Sequence, residues 1–306
     1  MSNQSPDIAA SKPRAIGYAF TAHMFWGFMP LYLLLVAEVP AVEFVAWRTL
    51  FTLPICLVFI GLRDRWPELR RCLTDRKIVL TLMGSAAMVA INWLGYIWAI
   101  QNTYVYAASL GYYILPLVMM VMGVVFLGET LSRRQWAAVG MAALAVGALA
   151  TGALTTLWLS LLLAITFGIY GLLRKTVDAG PLVGLTVEAI ILLPIVAGYL
   201  AWVQWGAGGT AFGRETVETL AILAGGIMTA VPLLLFSSAA RALPYTLIGF
   251  MQFIAPTVVF LLGLTVFGEE LRPAQLAAFL AIWSAAALFS WDIWSKSRDA
   301  RAAAKA

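Results

Sequence analysis

The chain has 306 residues, of which 62% are hydrophobic and only 11% charged, with a formal net charge of +5. A soluble domain averages about 45–50% apolar and about 25% charged residues, so water-soluble classes of protein are excluded. A membrane β-barrel is excluded too, because the chain lacks segments of about 10 residues alternating in polarity and instead repeats apolar runs of about 20, each able to cross about 30 Å of hydrocarbon as a helix.

Residues 1–14 read as a polar tail, and the apolar run behind them is long and lacks a small-residue cleavage site, which predicts a retained first helix. Ten spans follow: Ile16–Val36, Ala41–Leu62, Ile78–Ile100, Tyr106–Leu127, Gln135–Thr151, Leu154–Leu173, Pro181–Val203, Val217–Ala240, Tyr245–Phe267 and Pro273–Trp294. The connections are short, which predicts one helical bundle and no separate soluble domain. Seventeen of the 20 basic residues fall in the N-terminal tail, in every second loop and in the C-terminal tail; Arg214, Arg272 and Arg48 are the exceptions. Because Lys and Arg accumulate on the cytoplasmic side, both termini are expected in the cytoplasm of a bacterial inner (plasma) membrane protein. The positive charge therefore needs no nucleic-acid partner. Cys56, in an apolar run, and Cys72, in a basic loop, have no metal-ligand or redox spacing.

The fourth and ninth spans are near copies. From Ile114 and Ile254 they align without a gap, matching Pro116 with Pro256, Gly123 with Gly263, Gly128 with Gly268, Glu129 with Glu269 and Gln135 with Gln275, all at an offset of 140. A shared spacing of Pro, Gly-Glu and Gln indicates tandem duplication. The expected organisation is a tail at 1–14, a first five-helix repeat at 15–151, a second at 152–295 and a tail at 296–306. Five is odd, so the second repeat crosses in the opposite sense, which predicts an all-α integral membrane fold of ten helices in two inverted-topology repeats. Such repeats rock about a central site.

A charge inside a span costs about 2.5–3.5 kcal/mol on insertion scales and usually faces a bundle interior or a cavity. Arg48 and Glu188 are repeat equivalents, each six residues before a matched proline, Pro54 or Pro194. Glu188 is the candidate proton-coupling carboxylate, and Arg48 the candidate anchor for an anion, since a guanidinium binds oxygens bidentately. Trp26, Asn92, Trp93, Tyr112, Tyr113 and Gln252 are candidates for a substrate cavity, because aromatic walls with a few amides suit a small amphipathic ligand, including a cationic one. The only histidine, His23, lies one turn before Trp26 and reads as an interior polar residue; alone it cannot build a metal site. Pro116 and Pro256 mark expected kinks, and Gly123 and Gly263 allow close packing first and bending second. Glu129 and Glu269 are expected to cap the helix that follows each. Trp202, Trp205, Trp291 and Trp294 read as interfacial anchors.

The two repeats, each closing with the Pro116-to-Gly128-Glu129 or Pro256-to-Gly268-Glu269 pattern, resemble the drug/metabolite transporter superfamily with paired EamA-type domains. Phe25-Trp26-Gly27, Asn92-Trp93-Leu94, Ala108-Ser109-Leu110-Gly111-Tyr112, Phe126-Leu127-Gly128-Glu129, Tyr170-Gly171-Leu172-Leu173-Arg174-Lys175 and Pro256-Thr257 are similar to its RarD branch. The resemblance implies export of amino acids, other metabolites, drugs or cationic compounds through a central cavity, often with protons as the coupling ion and with no cofactor. Where that branch is expected to carry His-Arg, this chain has Trp47-Arg48, so a proton-carrying histidine there is not implied. The expected function is secondary transport of a small molecule across the lipid bilayer, with an uncoupled facilitator or channel as the alternative. No HExxH, histidine pair or carboxylate cluster suggests an enzyme, and Gly171-Leu-Leu-Arg-Lys-Thr176 lacks the glycine and the spacing of a phosphate loop. Its Arg174-Lys175 pair reads as a cytoplasmic topology signal.

Overall fold

The computed structural model describes residues 12–102, 104–206, 208–268 and 273–303. Among these the chain is helical throughout, with no strand: α1 (Lys12–Leu33), α2 (Ala41–Leu62), α3 (Trp66–Thr74), α4 (Arg76–Gln101), α5 (Val105–Leu127), α6 (Arg133–Ala150), α7 (Leu157–Thr176), α8 (Pro181–Gly206), α9 (Thr216–Ala242), α10 (Tyr245–Met251), α11 (Ile254–Thr265) and α12 (Pro273–Ala303). Helices α10 and α11 together make the ninth span. Nine spans among the described residues are long and apolar enough to cross a membrane; the exception is α6, which has 18 residues and opens on Arg133-Arg134.

Local chemistry sets the helix ends. The Asp75 carboxylate accepts hydrogen bonds from the N–H groups of Lys77 and Ile78 and so starts α4. Ser132 and Gln135 form a reciprocal capping box at the start of α6. Gly128 and Gly268, equivalent in the two repeats, both adopt φ 65°, the left-handed conformation that only glycine takes without strain, and stop the fourth and ninth spans at the same register.

The helices pack in repeat-related pairs. α1 lies against α9 and α11, and its counterpart α7 lies against α4 and α5, so each repeat donates its first helix to the other half. Close approach is needed at these crossings: a Cβ on Gly27 would meet Val258 on α11, and one on Gly168 would meet Val118 on α5. α2 crosses its own counterpart α8, and α6 packs on its counterpart α12. The result is an all-α bundle of two interlocked five-helix repeats.

Three sequence expectations change. The basic loop holding Cys72 is the helix α3, whose Leu69 and Cys72 are buried against Ile60, Val177 and Val183, because its apolar positions recur at helical spacing over a polar face. Residues 296–303, expected as a tail, continue α12. The matched prolines differ in effect: α5 runs unbroken through Pro116, whereas the ninth span breaks at Gln252-Phe253, just before Pro256, where the proline ring excludes the carbonyl four residues back.

Candidate functional site

A cavity of about 20 Å³ lies between α2, α4, α8 and α9. It can hold about one water molecule. Eight of its lining residues form four repeat-equivalent pairs at the offset of 140: Thr49 with Ala189, Thr52 with Leu192, Val89 with Thr229 and Trp93 with Leu233. The cavity therefore straddles the pseudo-two-fold relation between the halves. Leu185 and Glu188 complete the lining.

Glu188 is buried, and its Oε1 accepts a 2.5 Å hydrogen bond from the Ser85 hydroxyl on α4. Its charge partner is Arg174 on α7, with Nη1 to Oε1 at 3.7 Å and both side chains almost wholly buried. Arg174 is fixed further by hydrogen bonds from Nε to Ser237 and from Nη2 to the Pro181 carbonyl. Gly184, one turn before Glu188 on α8, makes room for it, since a Cβ there would overlap the guanidinium. Arg174 is thus an interior charge rather than a loop signal; the adjoining Lys175 caps α9, donating to the carbonyls of Ala240 and Leu243. Glu188 Oε2 has no hydrogen-bond partner among the described residues.

Arg48, on α2, does not itself line the cavity but lies behind Trp93 and Thr229, which do. Its Nε donates to the Thr229 hydroxyl at 2.7 Å, and its guanidinium lies 3.6 Å from the centroid of Trp93. Thr229 in turn donates to the Gly225 carbonyl, which holds the hydroxyl oxygen toward Arg48. Gly225 and Gly226 let α9 seat directly on the α2 backbone at Arg48 and Phe51. Arg48 makes no ion pair with a described carboxylate.

Of the residues expected to form a substrate cavity, Trp93 alone lines this one. Asn92 is turned away and ties α4 to α7, donating to the Leu163 carbonyl and Thr166. Trp26 packs on His23, Phe167 and Phe236 in an aromatic cluster. His23 is fully buried and bonded through Nδ1 to the Ala19 carbonyl, while its Nε2 has no hydrogen-bond partner among the described residues. Gln252 is buried beside it and donates to the Met119 sulfur. Tyr112 packs edge-on against Tyr96, and Tyr113 reaches the Pro256 carbonyl and Phe279, on another face of α5. Gly123 accommodates Thr246 and the Glu129 carboxylate, and Gly263 is buried in α11.

Glu129 does cap a helix, but a distant one. Its two oxygens accept from the N–H groups of Tyr245 and Thr246, at the start of α10. The helix directly after it, α6, is capped by Ser132 instead. Glu269 lies outside the described residues. Trp202 and Trp205 are exposed near the end of α8, consistent with interfacial anchors, Trp291 is exposed within α12, and the side chain of Trp294 lies outside the described ones. Sequence reasoning missed Ser85, Arg174, Thr52 and Thr229; the glycine one turn before Glu188 was the one available signal for Arg174.

Comparison with known proteins adds identity to this geometry. Residues 13–151 match the model of the EamA-like transporter family. A Pseudomonas aeruginosa protein, named as an uncharacterized transporter, is 40% identical, with 94% of this chain and 97% of that protein covered. Protein RarD of Streptomyces exfoliatus is 38% identical over 93% and 90% of the two chains, and Protein RarD of Escherichia coli 35% over 92% and 96%. A crystal structure of a protein 18% identical superposes with a TM-score of 0.73 over 92% of this chain and 98% of that one, which speaks for a shared fold.

Proposed function

The chain belongs to the EamA-like transporter family, in its RarD branch, and from that premise we propose that this membrane transporter is a secondary active exporter of a small organic solute, working by alternating access and driven by protons. The observation that carries this reading is the cavity on the pseudo-symmetry relation, bordered by the one acidic group buried there, Glu188.

A cavity of about 20 Å³ holds no organic solute, so in the described conformation the site is too narrow for one. Opening requires α2 and α4 to part from α8 and α9. The break at Gln252-Phe253 and the proline in α5 give the fourth and ninth spans places to bend. Because the halves are inverted copies, one rocking motion that opens the cavity to one side has a counterpart that opens it to the other. The outward direction rests on the likeness to exporters of the superfamily.

Proton coupling enters at Glu188. As a carboxylate it attracts Arg174 and holds α7 and α8 together; as a carboxylic acid it loses that attraction and gains an O–H donor. Protonation thus changes the force across a helix pair that borders the cavity, which is the differential interaction a coupling ion requires. With the purified protein in liposomes loaded with the twenty amino acids and chloramphenicol, the expected result is saturable efflux of at least one compound, accelerated by an imposed pH gradient in the wild type and indifferent to it in Glu188→Gln. Efflux that is unsaturable, or unaffected by the gradient in the wild type, would point to a facilitator and overturn the coupled mechanism.

A further inference from the structure

The charges around the cavity do not balance. Glu188 is engaged by Arg174 and by Ser85, which leaves Arg48 as a second buried cation with no anion of its own. It is 7% exposed, and its one hydrogen bond within the described structure runs from Nε to Thr229. The titratable groups that face it are the phenols of Tyr32 and Tyr112, which are neutral hydroxyls at physiological pH. Both Nη atoms, with four N–H donors, have no acceptor among the described residues. An unpaired charge buried in a membrane bundle is destabilising, so a residue kept in this state has a role outside the resting fold.

The orientation of the group specifies what it can take. Trp93 covers the face of the guanidinium at 3.6 Å and Phe44 lies 5.9 Å from it. Stacking on a ring occupies the face and leaves the planar edge free, and that edge is the fork that binds a carboxylate through two parallel hydrogen bonds. Thr229 fixes the fork from its Nε end, so its Nη end is preorganised. Trp93 and Thr229, the two residues that hold the guanidinium, both line the cavity, so the fork lies directly behind its wall and is uncovered when they move apart.

We infer that Arg48 is the docking point for a carboxylate carried by the transported solute, so that the substrates are small organic acids, zwitterions included. This deepens the transport reading and rests on it. The charge count favours it: a bound monoanion brings Arg48, Arg174 and Glu188 to neutrality together with the solute, a zwitterion pairs Arg48 without adding net charge, and a cation would raise an existing excess of positive charge. The same chemistry excludes Glu188 as the resting partner of Arg48, since Glu188 is already held on the far side by Arg174.

The test is binding, measured apart from flux. Melting temperatures of the full-length protein in nanodiscs are compared, at constant ionic strength, with acetate, benzoate, phenylpyruvate and the twenty amino acids, each beside its amide. The expected result is a saturable rise with at least one carboxylate and none with its amide. In Arg48→Gln the half-saturating concentration increases at least about tenfold, as loss of a bidentate ionic contact requires. Unliganded Arg48→Gln is expected to melt no lower than the wild type, because it removes an uncompensated charge; if it fails to fold, Arg48→Lys, which keeps the charge and loses the fork, takes its place with the same expected weakening. Equal shifts with acid and amide, equal shifts in the Arg48 variant, or no shift with any carboxylate would overturn the assignment. Carboxylate binding without flux would instead sink the transport reading and leave the site standing.

Discussion

Arg174 and Glu188 face each other at 3.7 Å, from α7 and α8, with side chains 0% and 3% exposed. An ion pair this deep is weak as a source of stability, because desolvation offsets the attraction, but it is intolerant of losing one member. Arg174→Met is therefore expected to lower stability by about 3–5 kcal/mol, leaving Glu188 charged and unpaired. The double variant Arg174→Met with Glu188→Leu should regain most of that loss. Thermal melting of the purified single and double variants checks it; a double variant that is simply the sum of the two losses would show that the pair is not coupled.

Gly184 makes that pairing possible, since a Cβ there would fall on the guanidinium. Gly184→Ala should displace Arg174 and cost about 1–3 kcal/mol as an overpacking change. Gly198, on the same helix with open space around it, serves as the control: Gly198→Ala should be neutral or slightly stabilising. Equal melting of the two variants would contradict the seating of Arg174 on Gly184.

Glu129 joins the end of the fourth span to the start of the ninth through bonds of 2.6 and 2.8 Å to the Tyr245 and Thr246 N–H groups. Replacing a cap by alanine costs about 0.5–2 kcal/mol, and these bonds to a carboxylate belong near the top of that range. Glu129→Ala is expected to lower the melting temperature, with Glu129→Gln recovering part of the loss through its single amide oxygen. A Glu129→Ala protein as stable as the wild type would remove the contact from the set that holds the halves together.

Outside the spans, α3 is pinned to the loop between α7 and α8. Arg71 donates to the Asp178 carboxylate and carbonyl, both at 2.8 Å. The Arg71 hydrogen bond holds the Asp178 carboxyl below its ordinary value of 3.8. A depressed folded-state value means the stabilisation is present above about pH 3.8 and is lost as pH falls through the folded-state value. The pair is largely exposed, so its whole contribution is at most about 1 kcal/mol and weakens with salt. Arg71→Ala should lower stability slightly at neutral pH and flatten the acid limb of a stability-against-pH curve; an acid limb identical to the wild type would show the pair to be inert.

How legible all this was in the sequence differs from residue to residue. Pro, Gly-Glu and Gln at one spacing reveal the duplication because few residue types meet the demands of a helix stop and a kink, and the same offset led from Arg48 to Glu188. Arg174 was hidden because an arginine beside a lysine at the end of an apolar run looks alike whether it faces water or turns inward. What turns it inward is Gly184, ten residues later on another helix. Glu129 revealed its chemistry but not its target, since sequence spacing reports neighbours along a helix and the N–H groups it caps lie 116 residues away. The aromatic and amide candidates shared composition with the cavity; the helix face that each occupies, set by how the repeats interlock, assigned Trp93 to it and Asn92 to a packing bond.

The most direct test of alternating access needs no substrate. In a background of Cys56→Ala and Cys72→Ala, Val89→Cys places one thiol at the cavity wall with little change in volume. Membrane-impermeant thiol reagents are then applied to right-side-out or inside-out vesicles. The expected result is labelling from each side, with each reaction slowed by prior reaction from the other. Labelling from one side alone, whatever the exposure time, would contradict a cavity that opens in alternation to both.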